Sequence, residues 1–562
     1  MSRPLNIGVI ADFNAHNLVS IVRKQAAALN AVVHAAPFGQ VLQTLADPAA
    51  PFWQQPYDVL IVWTFPGSVS ATFSNVVDLK SWSADDLRRD VDMFAELLRG
   101  SEDRAAAVFV PTWVEPAFGA HRASLQLKPG LGMATALMHM NLRMADRLGT
   151  GSNVVLFNAE RWLRAAGAAS YNHKLWFLSK TPFSNAVFEA AAGDFVATVR
   201  GLRGLSKKVV IVDLDNTLWG GIVGEIGWEA IRLGGHDAVG EAFLEFQKEL
   251  KRLSASGVVL AIASKNEESV ALEAIDRHPD MVLGRNDFAG WRINWGDKAQ
   301  NIAELVSELN VGLDSVVFID DSPHERGQVR ELLPDVLVPE LSGDPLDLPR
   351  ELAALRCFES SSISSEDRAR TKMYVADRGR KDLMAGAPSV VDWLRQLQLE
   401  VEVTPLSSAN IERAVQLFNK TNQMNLATRR LSVRELQEWA SRPNHQVWTF
   451  RVRDKFGDYG LCGVASLAVD GNCAELVDFL LSCRAMGRRV EEAIISIVAM
   501  KARAAGAARL RANCVPTKKN APCLRWFEEQ PIFQRHSDGT FVLDVGDETP
   551  APEHIRVTQS AC

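Results

Sequence analysis

Short apolar runs alternate with amphipathic stretches over residues 1–204 of the chain. The runs are rich in β-branched and aromatic residues, and the stretches between them repeat their apolar positions at helical spacing. This alternation predicts an α/β domain with a parallel sheet, because neighbouring parallel strands need a long crossover, usually a helix. The predicted strands cover residues 5–11, 32–36, 59–63, 108–111, 154–157 and 175–178.

A second alternating block follows a short basic segment that contains glycine, and it predicts a domain over residues 205–347. Its apolar runs are again separated by helical patterns, which is typical of a doubly wound parallel sheet. Such a sheet binds its ligand at the carboxyl ends of the strands. One strand is predicted up to Asp213, others over residues 258–263 and 316–319, and helices over residues 239–255, 267–277, 298–309 and 324–332.

The remaining sequence predicts a connector over residues 348–388 and a third α/β domain over residues 389–562. A serine-rich run at residues 360–365 favours an irregular segment. A helix is predicted to follow it over residues 366–374, with Ser365 as its N-cap. The expected architecture is therefore α/β throughout, in three successive domains.

Size and composition narrow the classes of protein to consider. At 562 residues, with 47% hydrophobic and 23% charged residues, the chain is long enough for several globular domains. A net charge of -7 without a long basic run argues against a nucleic-acid partner. Seven cysteines without a Cys-x-x-Cys pair favour reduced thiols, and no apolar window reaches membrane-spanning length. We therefore expect a cytoplasmic protein without a membrane partner.

The run Val-Val-Ile-Val that ends the first predicted strand of the second domain leads into Asp213, Asp215 and Thr217. Two carboxylates two residues apart at a strand end can converge on one metal ion. Hard oxygen ligands completed by substrate and water suit Mg²⁺, which we expect as the cofactor. A lone Asp-x-Asp-x-Thr is moderate evidence, because aspartate-rich turns are common and are usually only solvated.

Three further residues fall at places where phosphoryl transfer would need them. Ser264 ends a predicted strand, and its hydroxyl is suited to bond a phosphate oxygen. Lys298 begins a predicted helix, and its ammonium group is suited to neutralise a phosphoryl group. Asp320 follows another strand and is expected to complete the metal site with Asp213 and Asp215. The alternative is that these acidic residues only cap strand ends.

The motif resembles the first motif of the haloacid dehalogenase (HAD) phosphotransferases, and residues 219–225, Trp-Gly-Gly-Ile-Val-Gly-Glu, narrow the resemblance to the FkbH-like branch. The resemblance implies that Asp213 attacks phosphorus and that Asp215 acts as general acid and base. Thr217 is expected to orient Asp215 and to belong to the residues that bind the substrate or its phosphate. The short insert over residues 219–237 implies a small cap. Further FkbH-like stretches are residues 240–247, 263–266, 287–289, 293–295, 313–321 and 338–340. Among them, Lys265 and Asn266 beside the cleft are expected to bind the substrate or its phosphate, with a structural role as the alternative.

The same resemblance implies an SGNH-hydrolase-like fold for the first domain. The nucleophile turn of that fold, Gly-Asp-Ser, is replaced by Ala11, Asp12 and Phe13. Hydrolysis by this domain is therefore not expected, and a binding or docking role is. The third domain resembles the GNAT acyltransferases, in which helix N-terminal amides hold phosphates.

The GNAT resemblance lies in an apolar strand over residues 476–481, followed by a loop and a helix that is predicted to end near residue 505. Cys483 in this loop is the candidate acyl nucleophile, with Arg484 as a substrate-binding residue; the alternative is a buried core cysteine. Arg489 stands at a position where the phosphate-binding loop of the GNAT acyltransferases has a small residue. The larger side chain of Arg489 disfavours binding of the pyrophosphate of coenzyme A. The polar segment 419–430 predicts either a loop that holds an acyl group or phosphate, or a helix end held by amides.

Together, the resemblance implies a bifunctional phosphatase and acyltransferase. The expected donor is a phosphorylated three-carbon acyl compound such as 1,3-bisphosphoglycerate, and the expected partner is an acyl carrier protein of polyketide biosynthesis. A simple phosphohydrolase, acyl transfer to an amino sugar, and a non-catalytic scaffold stay open as alternatives.

Overall fold

The computed structural model describes residues 4–116, 123–149, 153–235, 237–360, 370–545 and 549–559. The described chain is α/β, as predicted. It forms two compact units that divide between Arg200 and Gly201. Among the described helices, none combines the length and the apolar character that crossing a membrane requires.

The first unit contains a five-stranded parallel sheet with the strand order β2-β1-β3-β4-β5. The central strands β1, β3 and β4 are almost wholly buried, which is expected where helices cover both faces of a sheet. The strands are β1 (Leu5–Ala11), β2 (Ala31–Ala35), β3 (Tyr57–Trp63), β4 (Ala105–Pro111) and β5 (Val154–Phe157). The helices are α1 (His16–Gln25), α2 (Val41–Ala46), α3 (Pro66–Val69), α4 (Phe73–Val77), α5 (Ala84–Arg99), α6 (Met133–Leu148), α7 (Glu160–Ala166), α8 (His173–Ser179) and α9 (Asn185–Leu202).

Five of the six predicted strands are confirmed, and the sixth, at residues 175–178, is wrong because these residues lie in α8. The side chain of Asn172 accepts a hydrogen bond from the Leu175 amide and caps this helix. The apolar run is also not a core strand, since Phe177 and Leu178 are exposed. A nearby cap signal therefore outweighs the hydrophobicity of the run.

In the second unit, residues 209–355 build a four-stranded parallel sheet with the order β8-β7-β6-β9. The strands are β6 (Val209–Val212), β7 (Val259–Ser264), β8 (Phe288–Ile293) and β9 (Val316–Ile319). The helices are α10 (Val223–Ile226), α11 (Ala238–Ala255), α12 (Glu268–Arg277), α13 (Lys298–Glu308), α14 (Pro323–Leu332) and α15 (Leu348–Ala353). The edge strand β8 was not predicted, because its half-buried middle, Gly-Trp-Arg, interrupts the apolar run.

The predicted connector contains a helix, α16 (Arg370–Ala385), that packs against both sheets of the second unit. Arg370 donates to the Gly257 carbonyl oxygen over 2.6 Å on one side. Arg380 donates to the Asp454 carboxylate over 2.6 Å on the other side. The predicted cap Ser365 and the first residues of the predicted helix lie outside the described residues.

The C-terminal part of the second unit is a mixed nine-stranded sheet with the order β16-β17-β15-β14-β13-β12-β10-β18, in which β11 also pairs with β14. The strands are β10 (Leu399–Pro405), β11 (Met424–Asn425), β12 (His445–Asp454), β13 (Gly457–Asp470), β14 (Cys473–Leu481), β15 (Arg509–Ala512), β16 (Gln534–Arg535), β17 (Phe541–Asp544) and β18 (Ile555–Gln559). The helices are α17 (Val390–Leu397), α18 (Ile411–Lys420), α19 (Val433–Ala440), α20 (Val490–Ala504) and α21 (Ala521–Glu529). The predicted strand, loop and helix around Cys483 are confirmed as β14, a short 3-10 turn and α20.

Candidate active site

Strand β6 carries Asp213 to the carboxyl edge of the four-stranded sheet. All four residues of this strand are buried, and β7 and β9 flank it on either side. The Asp213 amide donates to the Ile319 carbonyl oxygen over 3.0 Å, which fixes the loop after β6 beside the end of β9. The residues that follow β6, β7 and β9 therefore meet at one place.

Three carboxylates converge there. One oxygen each from Asp213, Asp320 and Asp321 lies within 4.8 Å of the others. Lys298, at the first position of α13, places its Nζ 3.1 Å from Asp213 Oδ1 and 2.6 Å from Asp320 Oδ2. Lys298 is only 3% exposed and Asp320 is 0% exposed, so water screens these charges weakly.

The crowding of these groups shifts their pKa values. Burial raises the pKa of Asp213 against the opposing charge of Lys298. Burial and the charge of Asp213 raise the pKa of Asp320 to about 6, and burial and the charge of Asp320 raise the pKa of Asp321. Burial alone would lower the pKa of Lys298, but the two facing carboxylates outweigh it and the pKa is raised. When ionised, three carboxylates exceed the charge of one ammonium group.

This imbalance fits a hard divalent cation. Asp213 Oδ1 is buried and accepts no hydrogen bond among the described residues, although it forms an ion pair with Lys298. A buried carboxylate oxygen without a hydrogen bond is costly unless another positive group approaches it. Asp213, Asp320 and Asp321 present oxygen ligands of the type that such cations bind.

The carboxylate of Asp215 does not belong to this cluster, so its predicted role as a side-chain metal ligand needs correction. Asp215 Oδ1 accepts hydrogen bonds from Trp219 Nε1 over 2.8 Å and from the Val223 amide over 3.1 Å. Its Oδ2 accepts from Asn266 Nδ2 over 3.0 Å. These donors turn the carboxylate toward the short insert after β6, and Asp321 takes its place in the cluster.

Thr217 also differs from its predicted role. Its hydroxyl donates to Asp321 Oδ1 over 3.3 Å and accepts from the Asp321 amide over 3.0 Å. It therefore holds the third carboxylate in the cluster, whereas Asn266 holds Asp215. Asp321 was not proposed as a ligand, although the doublet with Asp320 at a strand end was the signal for it.

Ser264 and Lys265 lie at the end of β7, beside the cluster. Ser264 is buried, and its hydroxyl accepts a hydrogen bond from Asn266 Nδ2 over 3.3 Å. A hydrogen bond between Ser264 and the Asp213 carboxylate offsets part of the rise that burial causes in the pKa of Asp213. Lys265 Nζ lies 2.7 Å from Glu325 Oε1 in the first turn of α14. Arg326 donates to the backbone oxygens of Asp320 and Asp321, over 2.7 and 2.8 Å. Neither Glu325 nor Arg326 was predicted from the sequence as a residue of the site.

The predicted acyl site lies where β14 meets α20. Cys483 is half-buried, and its carbonyl oxygen accepts a hydrogen bond from Asn310 Nδ2 over 3.4 Å. Asn310 follows α13, so this loop packs against the amino edge of the four-stranded sheet and not against the edge that carries Asp213. Arg484 donates to Ser482 Oγ over 3.2 Å and contacts Met373 Sδ of α16. Its guanidinium group is thus held within the protein.

The start of α20 is occupied by its own side chains. Gly487 donates its amide to Glu491 Oε1 over 3.2 Å, and burial raises the pKa of this glutamate. Arg488 pairs with Asp377 of α16. Arg489 adopts a left-handed backbone, with φ of 62°, and pairs with Glu492. The Gly487 amide is therefore already bonded to a carboxylate of the protein. The expectation that a pyrophosphate is disfavoured stays a prediction.

The polar segment 419–430 is tied to its surroundings by its own side chains, as expected for a structural role. Asn425 Nδ2 donates to the Thr421 carbonyl oxygen, and Asn425 Oδ1 accepts from the Thr428 amide. Arg429 Nε donates to Asp478 Oδ1 over 2.9 Å. These contacts favour the second prediction, a helix end held by amides.

Comparisons with protein-family models and with curated proteins gave no match. Among solved structures, the chain is similar to the N-terminal part of protein BF1531 from Bacteroides fragilis, which contains a phosphatase domain and was crystallised with Mg. The identity is 28% and the TM-score 0.58, over 64% of this chain and 95% of that chain.

Two acetyltransferases also match part of the chain. The ribosomal-protein-S18-alanine N-acetyltransferase from Escherichia coli is 11% identical with a TM-score of 0.20, over 26% of this chain and 95% of that chain. The PaiA N-acetyltransferase from Thermoplasma acidophilum, in complex with coenzyme A, is 13% identical with a TM-score of 0.18, over 25% of this chain and 96% of that chain. These TM-scores are too low to carry an argument about the fold or activity of this chain.

Proposed function

We propose that this protein is a magnesium-dependent phosphatase coupled to an acyltransferase. The observation that carries the phosphatase half is the cluster of Asp213, Asp320 and Asp321 around the ammonium group of Lys298. The similarity to a phosphatase-domain protein that was crystallised with Mg supports the same reaction and the same cation.

Asp213 is the proposed nucleophile. Its carboxylate oxygen attacks phosphorus, the ester bond to the leaving oxygen breaks, and an aspartyl-phosphate forms, which water then hydrolyses to inorganic phosphate. Lys298 offsets the repulsion between the carboxylate and the phosphoryl oxygens. Asp213, Asp320 and Asp321 would hold Mg²⁺, which supplies further positive charge for the phosphoryl group when bound.

Asp215 is proposed to protonate the leaving oxygen and later to accept a proton from the attacking water. The side chains of Trp219 and Asn266 hold its carboxylate in one orientation. The buried hydroxyl of Ser264, next to Asp213, is proposed to bond a phosphoryl oxygen.

The acyltransferase half concerns a donor that carries an acyl phosphate and a phosphate ester, such as 1,3-bisphosphoglycerate. A thiolate, of Cys483 or of the phosphopantetheine arm of an acyl carrier protein, attacks the acyl carbon. A thioester forms and the bond to the acyl phosphate oxygen breaks, which releases inorganic phosphate. Asp213 then removes the phosphate ester, so the carrier keeps a glyceryl-like group. The strand, loop and helix around Cys483, joined to the phosphatase part by α16, support this half.

A phosphatase without acyl transfer is the second candidate function. It is favoured by the internal contacts around the start of α20, where Glu491, Arg488 and Arg484 form hydrogen bonds or ion pairs with other groups of the protein.

One experiment separates the two candidates. The protein is incubated with Mg²⁺, 1,3-bisphosphoglycerate and an acyl carrier protein, and both proteins are analysed by intact mass spectrometry. A glyceryl mass on the carrier supports the coupled reaction, and free glycerate without acylated protein supports the phosphatase alone. Cys483→Ala tests the covalent route, with Cys473→Ala as the matched control because both cysteines are half-buried. Loss of carrier loading only in Cys483→Ala supports acylation of Cys483, and unchanged loading in both variants excludes it.

A further inference from the structure

The two proposed reaction centres lie at opposite edges of the four-stranded sheet, so an acyl group that meets both must travel along the strands. Asp213 follows β6 at the carboxyl edge, and the loop that holds Cys483 packs against the amino edge through Asn310. A strand rises about 3.3 Å per residue, so even the length of β6 separates the two edges by about 13 Å. The path between the two centres is therefore longer than a side chain.

A groove of about 390 Å³ runs along the outer side of β8, and residues of β8, α13 and α16 line it. At one end it reaches Asn294, whose amide donates to the Ser264 carbonyl oxygen over 3.1 Å. At the other end it reaches Tyr374 and Leu309, the last residue before the loop that bonds to the Cys483 carbonyl oxygen. Burial and, after it, the charge of a Cys483 thiolate raise the pKa of Tyr374, so this ring lies close to Cys483. The groove thus extends from the end of β7 toward the acyl site.

The lining of the groove suits an uncharged and extended chain. β8 pairs with β7 on one side, and an edge strand offers backbone amides and carbonyl oxygens on its outer side. Charged side chains of the walls are already paired, since Arg292 pairs with Glu308 and Asp377 pairs with Arg488. Apolar residues of α13 add a hydrophobic wall. An anion would have to break these ion pairs, whereas a chain with amide groups can bond to the strand edge.

We propose that this groove binds the pantetheine arm of the carrier protein. The inference rests on the proposed coupled function and adds a binding site outside both reaction centres. Pantetheine is an uncharged chain with two amide groups and a terminal thiol, which matches the lining. No bond forms or breaks in the groove. The arm carries its phosphoglyceryl thioester from the Cys483 end to the Ser264 end, where Asp213 removes the phosphate ester.

The first test measures binding of S-methyl-D-pantetheine, a probe without phosphate or a free thiol, by isothermal titration calorimetry. Gly290 lines the groove, and a Cβ atom there would lie 3.4 Å from Leu305 Cδ2, an ordinary contact, so the side chain of Gly290→Leu would occupy the groove. We expect wild type to bind the probe and Gly290→Leu to bind it at least about 10-fold more weakly. Gly284→Leu is the matched control, because Gly284 is exposed and has open space around it. No binding to wild type, or equal affinities of wild type and Gly290→Leu, would overturn the inference, as would an equal loss in Gly284→Leu.

The second test uses only the wild-type protein, so it does not depend on the folding of a variant. Magnesium-dependent phosphate release is measured from free 3-phosphoglycerate and from a 3-phosphoglyceryl thioester on the carrier arm. We expect saturating S-methyl-D-pantetheine to lower kcat/KM for the carrier-bound ester at least about 10-fold and to leave that for free 3-phosphoglycerate unchanged. Inhibition of both reactions, or of neither, would overturn the inference and leave the phosphatase proposal intact. Phosphate release from neither ester without the probe would overturn the phosphatase proposal, and the assigned path of the arm with it.

Discussion

The two parallel sheets of this protein present very different carboxyl edges. In the first unit, β1 is followed by Asp12, whose Oδ2 accepts the Phe65 amide over 2.6 Å. Aromatic rings surround the next residue, Phe13, with ring centroids 5.6 Å from Trp63 and 6.1 Å from Phe188. In the second unit, β6 is followed by Asp213, which meets two more carboxylates and an ammonium group.

The two aspartates share one property that by itself marks no site. Asp12 Oδ1 and Asp213 Oδ1 are both buried without a hydrogen-bond partner among the described residues. Burial raises the pKa of both carboxyl groups, that of Asp12 to about 6. What separates them is the charge that neighbouring strands bring, since the described ion pairs involve Asp213 and not Asp12. A strand-end carboxylate can support the proposed phosphoryl transfer only where its neighbours supply the remaining charges, as they do beside Asp213.

Removing the proposed nucleophile has the largest expected effect. We expect Asp213→Asn to lower the rate of magnesium-dependent phosphate release from 3-phosphoglycerate at least about 1,000-fold, because an amide cannot form the aspartyl-phosphate. Asp12→Asn is the matched control at the other sheet edge and should leave this rate unchanged. An equal loss in both variants would break the distinction between the two edges, and a rate for Asp213→Asn near that of wild type would remove Asp213 from the mechanism.

Removing the buried cation has the next largest effect. Lys298→Met leaves Asp213 and Asp320 buried without their ammonium partner, so we expect the free energy of unfolding in the absence of metal to fall by about 3 kcal/mol at neutral pH. Chemical denaturation with EDTA measures this change. Added Mg²⁺ should restore part of the loss, because a cation that binds only the folded state stabilises it.

Lys248→Met serves as the control for this variant, because the Lys248 side chain is 44% exposed and water screens its ion pair with Glu245. We expect less than about 1 kcal/mol for this control. A similar loss in both variants would mean that Lys298 does not compensate the buried carboxylates.

Local sequence patterns predicted the elements that carry the site but not all of its contacts. Four consecutive apolar residues and the turn after them predicted that Asp213 lies at a strand end, and the structure places it directly after the buried strand β6. One partner of Asp215 and the partner of Lys265 follow other strands: Asn266 lies 51 residues away from Asp215, and Glu325 lies 60 residues away from Lys265. Such pairs depend on strand order, which the pattern of apolar residues does not encode. For the same reason, the hydrogen bonds of Thr217 to Asp321 were not foreseen.

In the first unit, the sequence pattern failed at a local element and not at a long-range contact. Its five strands were predicted, but the helix at residues 175–178 was not, because a single cap side chain decided the conformation of an apolar run. The relation to SGNH hydrolases and a docking role stay predictions. Phe13, which stands at the place of the expected serine, is 2% exposed, and the expectation that this edge does not hydrolyse esters stays a prediction as well.

The smallest expected effect concerns the carboxyl group of Asp12 and sharpens the comparison through pH. Burial raises its folded-state pKa from 3.8 to about 6. The stability that comes from keeping this group protonated is therefore fully present below about pH 4 and is lost as the pH rises through about 6. Asn at this position stays neutral and keeps an oxygen that can accept the Phe65 amide.

Relative to Asp12→Asn, the wild-type protein should lose about 1 kcal/mol of unfolding free energy between pH 5 and pH 8. Chemical denaturation of both proteins at the two pH values measures this difference, and the exposed Asp47→Asn should show no such change. A difference between wild type and Asp12→Asn that does not vary with pH would mean that Asp12 is ionised at little cost, and that a charge partner at this edge makes the two sheets more alike than their contacts indicate.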